Sequence, residues 1–265
     1  MFFYSTIEPV YYLLPFVGFI IGLFGTMLGG GGGFFFLPIL ILLLNINPQT
    51  AVITSLVASL PICIVGSWGH YRKQNIDLKL VGIFAVAGIL GAFIGAGISN
   101  KISANQLKLS FGIYSVLVAL NIVYSTWQKQ RVDSGKRSPK KHSNSVKTTK
   151  GLFFGFFAGM ITGTFGTSGT APVLSGLFSM QILLKTVIGT SLLIVLVNTF
   201  FAVGSHFLLG KIDLTLVGFL TAGSTVGALI GPKIVAKTNF GQSENKTRYW
   251  YAVALVAIGI LMILK

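Results

Sequence analysis

From residue 9 to residue 71 the chain carries no lysine, arginine, aspartate or glutamate. Ordinary globular domains place a charge at about every fourth position, so a run of this length has no soluble solution. A helix needs about 20 apolar residues to cross a bilayer, and the run therefore holds two or three crossings. Hydrophobic residues make up 53% of the whole chain and charged ones only 9%, so the same reasoning extends to its full length. The expected class is an all-α polytopic membrane protein.

The net charge is +15, which in a soluble domain would point to nucleic acid. Here the positive charge sits in short connectors, and it reads as a determinant of topology rather than as a nucleic-acid surface. The densest part, residues 128–150, holds eight basic residues against the single acid Asp133. With Ser, Lys and Asn dominant it has nothing to form a core. It is expected to be a disordered cytoplasmic linker, with a regulatory or lipid-binding arm as the alternative. The first dozen residues lack the basic n-region of a signal peptide. Cys63 is the single cysteine, so no intrachain disulfide can form.

Charge gaps and turn residues cut the chain into about ten apolar segments, near 10–28, 34–44, 50–70, 78–99, 108–127, 151–166, 171–184, 186–209, 214–236 and 248–264. The one at 34–44 is short and is interrupted by Pro38; the one at 171–184 is also short. Shifting the chain by 136 positions lays residues 51–101 on 187–237 with 17 of 51 identical and no gap. Thr54, Ser55, His70 and Asp77 fall on Thr190, Ser191, His206 and Asp213. One further residue of offset puts Gly18, Gly22, Gly29 and Gly32 on Gly155, Gly159, Gly166 and Gly169. Shared greasiness does not reproduce the His and Asp matches. The expectation is a tandem duplication: a first transmembrane repeat over residues 1–127, the basic linker over 128–150, and a second repeat over 151–265.

Five segments per half would place the repeats upside down relative to each other. The basic residues suit this arrangement: residues 1–71 contain none, while Arg72, Lys73, Lys79, the linker, Lys237, Lys246 and Arg248 would all be cytoplasmic, leaving Lys211 to mark an outer loop. If the short segments dip in and return, each half has four crossings and the repeats are parallel. The inverted arrangement is the favoured one.

The run Gly29, Gly30, Gly31, Gly32, Gly33 is not a phosphate-binding loop, because no strand precedes it and no Lys-Ser or Lys-Thr follows. Within a bilayer such a run ends a helix and bares peptide groups, which is tolerated only inside protein or along a cavity. One such break in each repeat marks the binding site of repeat-built transporters. Broken helices present free N–H groups and a positive dipole end, a seat for a small anion. The second break, Gly166, Thr167, Ser168, Gly169, Thr170, adds hydroxyl donors. By contrast, the pairs Gly91/Gly95 and Gly227/Gly231 have the spacing of close helix packing.

Further candidates follow from position. Thr54, Ser55, Thr190 and Ser191 sit early in the long helices after the breaks, where their hydroxyls either face the pathway or bond back to the preceding turn. Asn198 is a mid-helix amide, either interhelical glue or a cargo contact. His70 and His206 occupy twin positions suited to gating or proton coupling. Asp77 and Asp213 each precede a helix and read as N-caps. The five acids lie at segment edges or in loops, which argues against a carboxylate relay and a hard-cation site. No metal and no cofactor is expected.

Gly-x-Ser168-Gly followed by His206 has the form of an intramembrane serine protease dyad. His70 has no matching serine in the first break, which weighs against it. The expectation is a protein that is not an enzyme.

Taken together, residues 22–38, 51–56, Ile76-Asp77-Leu78, residues 155–172, Thr190-Ser191 and residues 227–231 resemble the sulfite exporter TauE/SafE family of membrane transporters. The likeness covers nearly the whole chain apart from the basic linker. It implies a multi-pass protein of the bacterial inner membrane that moves small sulfur-containing or organic anions, often outward. The partners it implies are a small anionic substrate and the lipid bilayer, with assembly as a homo-oligomer left open. A passive anion channel, or a noncatalytic membrane partner of another protein, are the alternatives to a gradient-driven exporter.

Overall fold

The computed structural model describes residues 2–133, 144–180, 182–207, 212–237 and 244–264. Lys211, Lys265 and the centre of the basic linker lie outside them. Among the described residues the apolar segments form ten α-helices: α1 (Leu14–Leu28), α2 (Gly33–Leu42), α3 (Pro48–Tyr71), α4 (Leu78–Lys101), α5 (Ala104–Asp133), α6 (Asn144–Phe165), α7 (Thr170–Phe178), α8 (Leu184–Phe207), α9 (Leu214–Lys237) and α10 (Glu244–Leu264). A 3-10 turn at Pro9–Leu13 leads into α1. Six of the spans are long and apolar enough to cross a membrane. A 24-residue helix such as α3 is about 36 Å long, against a hydrocarbon core of about 30 Å.

Local chemistry sets the helix starts. Pro48 opens α3 behind Asn47, whose side chain accepts the Gln49 N–H at 3.0 Å. Asp77 caps α4 by accepting the Leu80 N–H at 3.1 Å, and Asp213 caps α9 through Thr215 and Leu216 at 3.0 and 3.3 Å. Two details depart from the sequence reading. Pro38 lies inside α2 without ending it; a proline costs a helix one N–H, and neighbouring protein makes that loss tolerable in a membrane. The basic linker is helical at both ends, α5 running to Asp133 and α6 starting at Asn144, because Lys, Arg and Gln prolong a hydrated helix at little cost.

The chain forms two compact units, Met1–Ile102 with Ser143–Lys237, and Ser103–His142 with Thr238–Lys265. The smaller consists of α5 against α10, which approach closely where Gly112 meets Gly259 and Ile263.

In the larger unit α1 lies along α9 and α4 along α6. Gly223 touches Pro15, Gly227 touches Phe19 and Gly231 touches Leu23 and Thr26, so α1 and α9 are parallel. Gly155 meets Phe84, Gly159 meets Gly88 and Gly163 meets Ala92, so α4 and α6 are parallel too. Backbone meets backbone in both seams, the geometry small residues permit between membrane helices. α4 shows the corresponding sidedness: Gly88, Gly91, Ala92 and Gly95 are buried, while Val86, Leu90 and Phe93 face outward. In a membrane those large side chains find lipid, not water.

α3 and α8 cross at the centre in opposite directions, Gly66 meeting Leu192 and His70 meeting Gly189. A buried cluster of Leu80, Phe84, Ala158, Val173, Leu177 and Ile194 joins α4, α6, α7 and α8. At one end the chain start pairs with the α8–α9 connection, β1 (Phe2–Phe3) lying parallel to β2 (Ile212–Asp213).

Candidate functional site

Both glycine-rich segments are breaks between a long helix and a short one. α1 ends at Leu28, and Gly29 closes it in the left-handed conformation, φ 76°. Gly31 and Gly32 are left-handed as well, φ 60° and 76°, before α2 begins at Gly33. A side chain at any of these three would be strained, which explains much of the run. In the second break Gly166 and Gly169 are left-handed, φ 65° and 52°, and these are the positions that match Gly29 and Gly32. The peptide groups double back locally: the Gly30 N–H donates to the Gly25 carbonyl at 2.7 Å and the Gly169 N–H to the Thr167 carbonyl at 2.7 Å.

The two breaks, far apart in sequence, touch. The Gly33 N–H donates to Ser168 Oγ at 3.0 Å, and Thr170 Oγ1 donates to the Gly30 carbonyl at 3.0 Å. Gly33 must lack a side chain here, since a Cβ would press on Ser168 N at 3.1 Å and the Gly166 carbonyl at 3.3 Å. Each break is also held by the opposite half. Ser191 Oγ on α8 reaches the Gly29 carbonyl at 2.9 Å, and Ser55 Oγ on α3 reaches the Gly166 carbonyl at 2.8 Å. Each of these hydroxyls lies equally near a carbonyl of its own helix, Ile188 at 2.9 Å and Val52 at 2.8 Å. One proton shared between two acceptors leaves each bond weak.

The remaining candidates are distributed differently. Thr190 Oγ1 accepts the Asp77 N–H at 2.9 Å and so serves the α3–α4 connection. Thr54 Oγ1 and Thr167 Oγ1 are buried and meet no hydrogen-bond partner among the described residues. His206 Nε2 bonds the Gly163 carbonyl at 2.7 Å in the last turn of α8. His70 is buried in the last turn of α3, facing the Thr26 backbone without closing a hydrogen bond. Ser168 and His206 thus each have another partner, and the Gly-x-Ser-Gly segment does not assemble a dyad with His206 in this structure. Asn198 is buried beside Gly88 of α4, with neither amide atom bonded among the described residues.

Reading single residues misses Cys63, whose sulfur lies on Gly31 together with Val195 Cγ1 and Ser168 Oγ. The signal was present: Ser55, Ser59 and Cys63 recur at four-residue spacing, one face of a helix. Thr199, buried and without a hydrogen-bond partner among the described residues, occupies the same face of α8 after Ser191 and Val195.

Chemically, the centre is a set of neutral donors. The short helices α2 and α7 both start at the contact between the breaks, so two positive helix ends converge there. The carbonyls of Gly29, Gly30 and Gly166 are covered by hydroxyls, which leaves the environment short of negative charge.

The profile of the sulfite exporter TauE/SafE family matches residues 14–262. A probable membrane transporter protein of Bacillus subtilis (strain 168), YdhB, is 29% identical over 240 residues, covering 85% of this chain and 94% of its own length. A second from that organism, YunE, is 24% identical over 246 residues, covering 85% and 90%. A probable membrane transporter protein of Xylella fastidiosa (strain 9a5c) is 26% identical over 254 residues, covering 93% and 91%. No solved structure matches significantly.

Proposed function

This chain belongs to the sulfite exporter TauE/SafE family, and from that premise we propose that it is a secondary transporter that moves a small anion outward across the plasma membrane. That it is a multi-pass membrane transporter follows from the family, from the relatives and from the six long apolar helices. The finer reading rests chiefly on one observation: the N-termini of α2 and α7 converge at the buried contact between the breaks. Two positive dipole ends repel one another across a low-dielectric interior, and an anion between them relieves that repulsion. The cargo class we favour is a sulfur oxyanion, an organosulfonate or a small organic acid. Gly29 to Gly33 and Gly166 to Gly169 would supply N–H groups, with Thr167, Ser168 and Thr170 adding hydroxyls; those that bond within the protein here, among them the Gly30, Gly33 and Gly169 N–H groups and the Thr170 hydroxyl, would exchange those partners for the anion.

We read the larger unit as built on inverted repeats. The antiparallel crossing of α3 and α8, which are twin helices, supports this, as do the matching seams α1–α9 and α6–α4. Inverted halves around a midplane site are a recurrent plan for alternating access. A chain without an ATP-binding motif draws on an ion gradient.

Purified protein in liposomes, loaded in turn with sulfite, sulfoacetate and small carboxylates, tests the reading. Saturable flux with counterflow is expected. Flux that neither saturates nor responds to a gradient makes the protein a passive channel, and no saturable flux of any anion overturns the proposal.

A further inference from the structure

We infer that Asn198 is a cargo-recognition residue and that the cargo it recognises is a singly protonated oxyacid, a group bearing both an ionised oxygen and a hydroxyl. The inference rests on the transporter reading above and narrows its substrate class.

Asn198 lies in the middle of α8 (Leu184–Phe207) and is fully buried. Its Nδ2 and Oδ1 both lack a hydrogen-bond partner among the described residues. Lipid offers none, and leaving both ends of a buried amide unpaired is costly. Interhelical glue is therefore not what this side chain provides. The neighbouring helix even makes room for it, since a Cβ on Gly88 would collide with the amide.

The amide lies against Gly88 of α4, and the register of α8 gives the side of the helix that carries it. Ser191 bonds the Gly29 carbonyl, and Val195, one turn on, meets Gly31. Asn198 and Thr199 are three and four residues beyond Val195 and continue that face. Further along it, His206 bonds the Gly163 carbonyl. Asn198 thus stands between the first break and the far end of α8. The Thr199 hydroxyl beside it is also buried and lacks a partner among the described residues. In contrast Thr26, Thr162, Thr164, Thr221 and Thr225 all bond back to their own helices. The first half carries Ile62 and Cys63 at the twin positions, both fully buried, so the fold itself does not call for a polar pair.

The amide determines the ligand chemistry. Nδ2 only donates and Oδ1 only accepts. A fully ionised oxyanion has acceptors alone and would set an oxygen lone pair against Oδ1. A singly protonated group satisfies both ends at once: its hydroxyl donates to Oδ1, an oxygen accepts from Nδ2, and Thr199 donates to a remaining oxygen. Charge points the same way. The charged or titratable groups on the helices packed here are Lys79 and Lys101 at the ends of α4, Lys147 and Lys150 at the start of α6, Cys63, His70 and Tyr71 on α3, and Lys185 and His206 on α8. The lysines lie at helix ends, so none sits beside Asn198 to balance a second negative charge, whose desolvation cost rises steeply.

Two anions of equal charge and similar shape test this at one pH, with the full chain in liposomes. Methylphosphonate, held between its two ionisations, carries a hydroxyl; methanesulfonate does not. Wild-type protein is expected to take methylphosphonate at least tenfold better by kcat/KM, and Asn198→Ile, which installs the residue of the twin position, to narrow that preference to about twofold. Equal handling of the two by wild-type protein overturns the inference, whatever becomes of the variant. A preference that survives in Asn198→Ile assigns recognition elsewhere and overturns it too. If the two anions are handled equally while sulfite still saturates, this inference alone fails. If no anion saturates, the transporter reading fails with it.

Discussion

Replacing Gly159 by alanine tests the central claim about packing. A Cβ at this position would run into the Gly88 carbonyl, with Gly88 Cα only 2.8 Å away. Carbon atoms in contact sit about 3.5–4.0 Å apart, so α4 and α6 must separate by about 1 Å, and a gap of that size forfeits up to half of each dispersion contact it opens. Backbone stands on both sides, and no rotamer change relieves the clash. Overpacking costs about 1–3 kcal/mol, and the upper end applies here. At about 2–4 °C per kcal/mol for a chain of this size, the melting temperature falls by about 6–12 °C. Gly97 provides the control: nothing among the described residues lies within 4 Å of a Cβ there, so Gly97→Ala is neutral or raises stability by about 0.5–1 kcal/mol through helix propensity. The chain supplies its own reporter. Cys63 is the single cysteine and is fully buried, so a thiol-reactive fluorophore reads its exposure on heating. If Gly159→Ala melts within about 2 °C of Gly97→Ala, the seam is not close-packed and the reasoning is wrong.

Ser55→Ala and Ser191→Ala each uncover a buried carbonyl in the opposite break; both should lose about 1–3 kcal/mol in the same assay, and an unchanged melt would show that these bonds carry nothing. Asp213→Ala should cost more than Asp77→Ala, about 2–3 against about 1 kcal/mol, because Asp213 accepts from Ser5, Thr215 and Leu216 while Asp77 Oδ1 accepts from Leu80; equal losses would refute the ranking. In a Cys63→Ala background, a cysteine at Tyr4 should react with an impermeant maleimide added to intact cells, and one at Arg72 only after permeabilisation. Labelling of both from the same side would mean four crossings per half and would sink the inverted reading.

The long helices were legible because a bilayer leaves the backbone no alternative: each charge-free run of about 20 residues had to become a helix. The breaks were legible for a related reason. Gly29 and Gly166 are where the chain turns left-handed, and few residues other than glycine do so at low cost. The partner of each polar side chain was not legible. Ser55 and Ser191 looked equally able to bond to the preceding turn or to face inward, and each does both. That outcome depends on how near the other half approaches, which hydropathy does not encode. Thr190 shows the same gap, since its hydroxyl is taken by Asp77, while its twin Thr54 has no partner among the described residues. The helical ends of the basic linker were missed because composition reports the lack of a core, not the ease with which an existing helix extends.

On the inverted-repeat reading proposed above, the glycine seams exchange parts between the two halves of the chain. α1 comes from the first half and mates with α9 from the second, while α4 from the first mates with α6 from the second. Neither mating surface can be completed within one half, so a half synthesised alone leaves two bare ridges of small residues exposed to lipid. On that same proposal, the bodies that rock during a transport cycle would each be drawn from both halves. Co-expression of the two halves as separate chains should reconstitute what neither achieves alone.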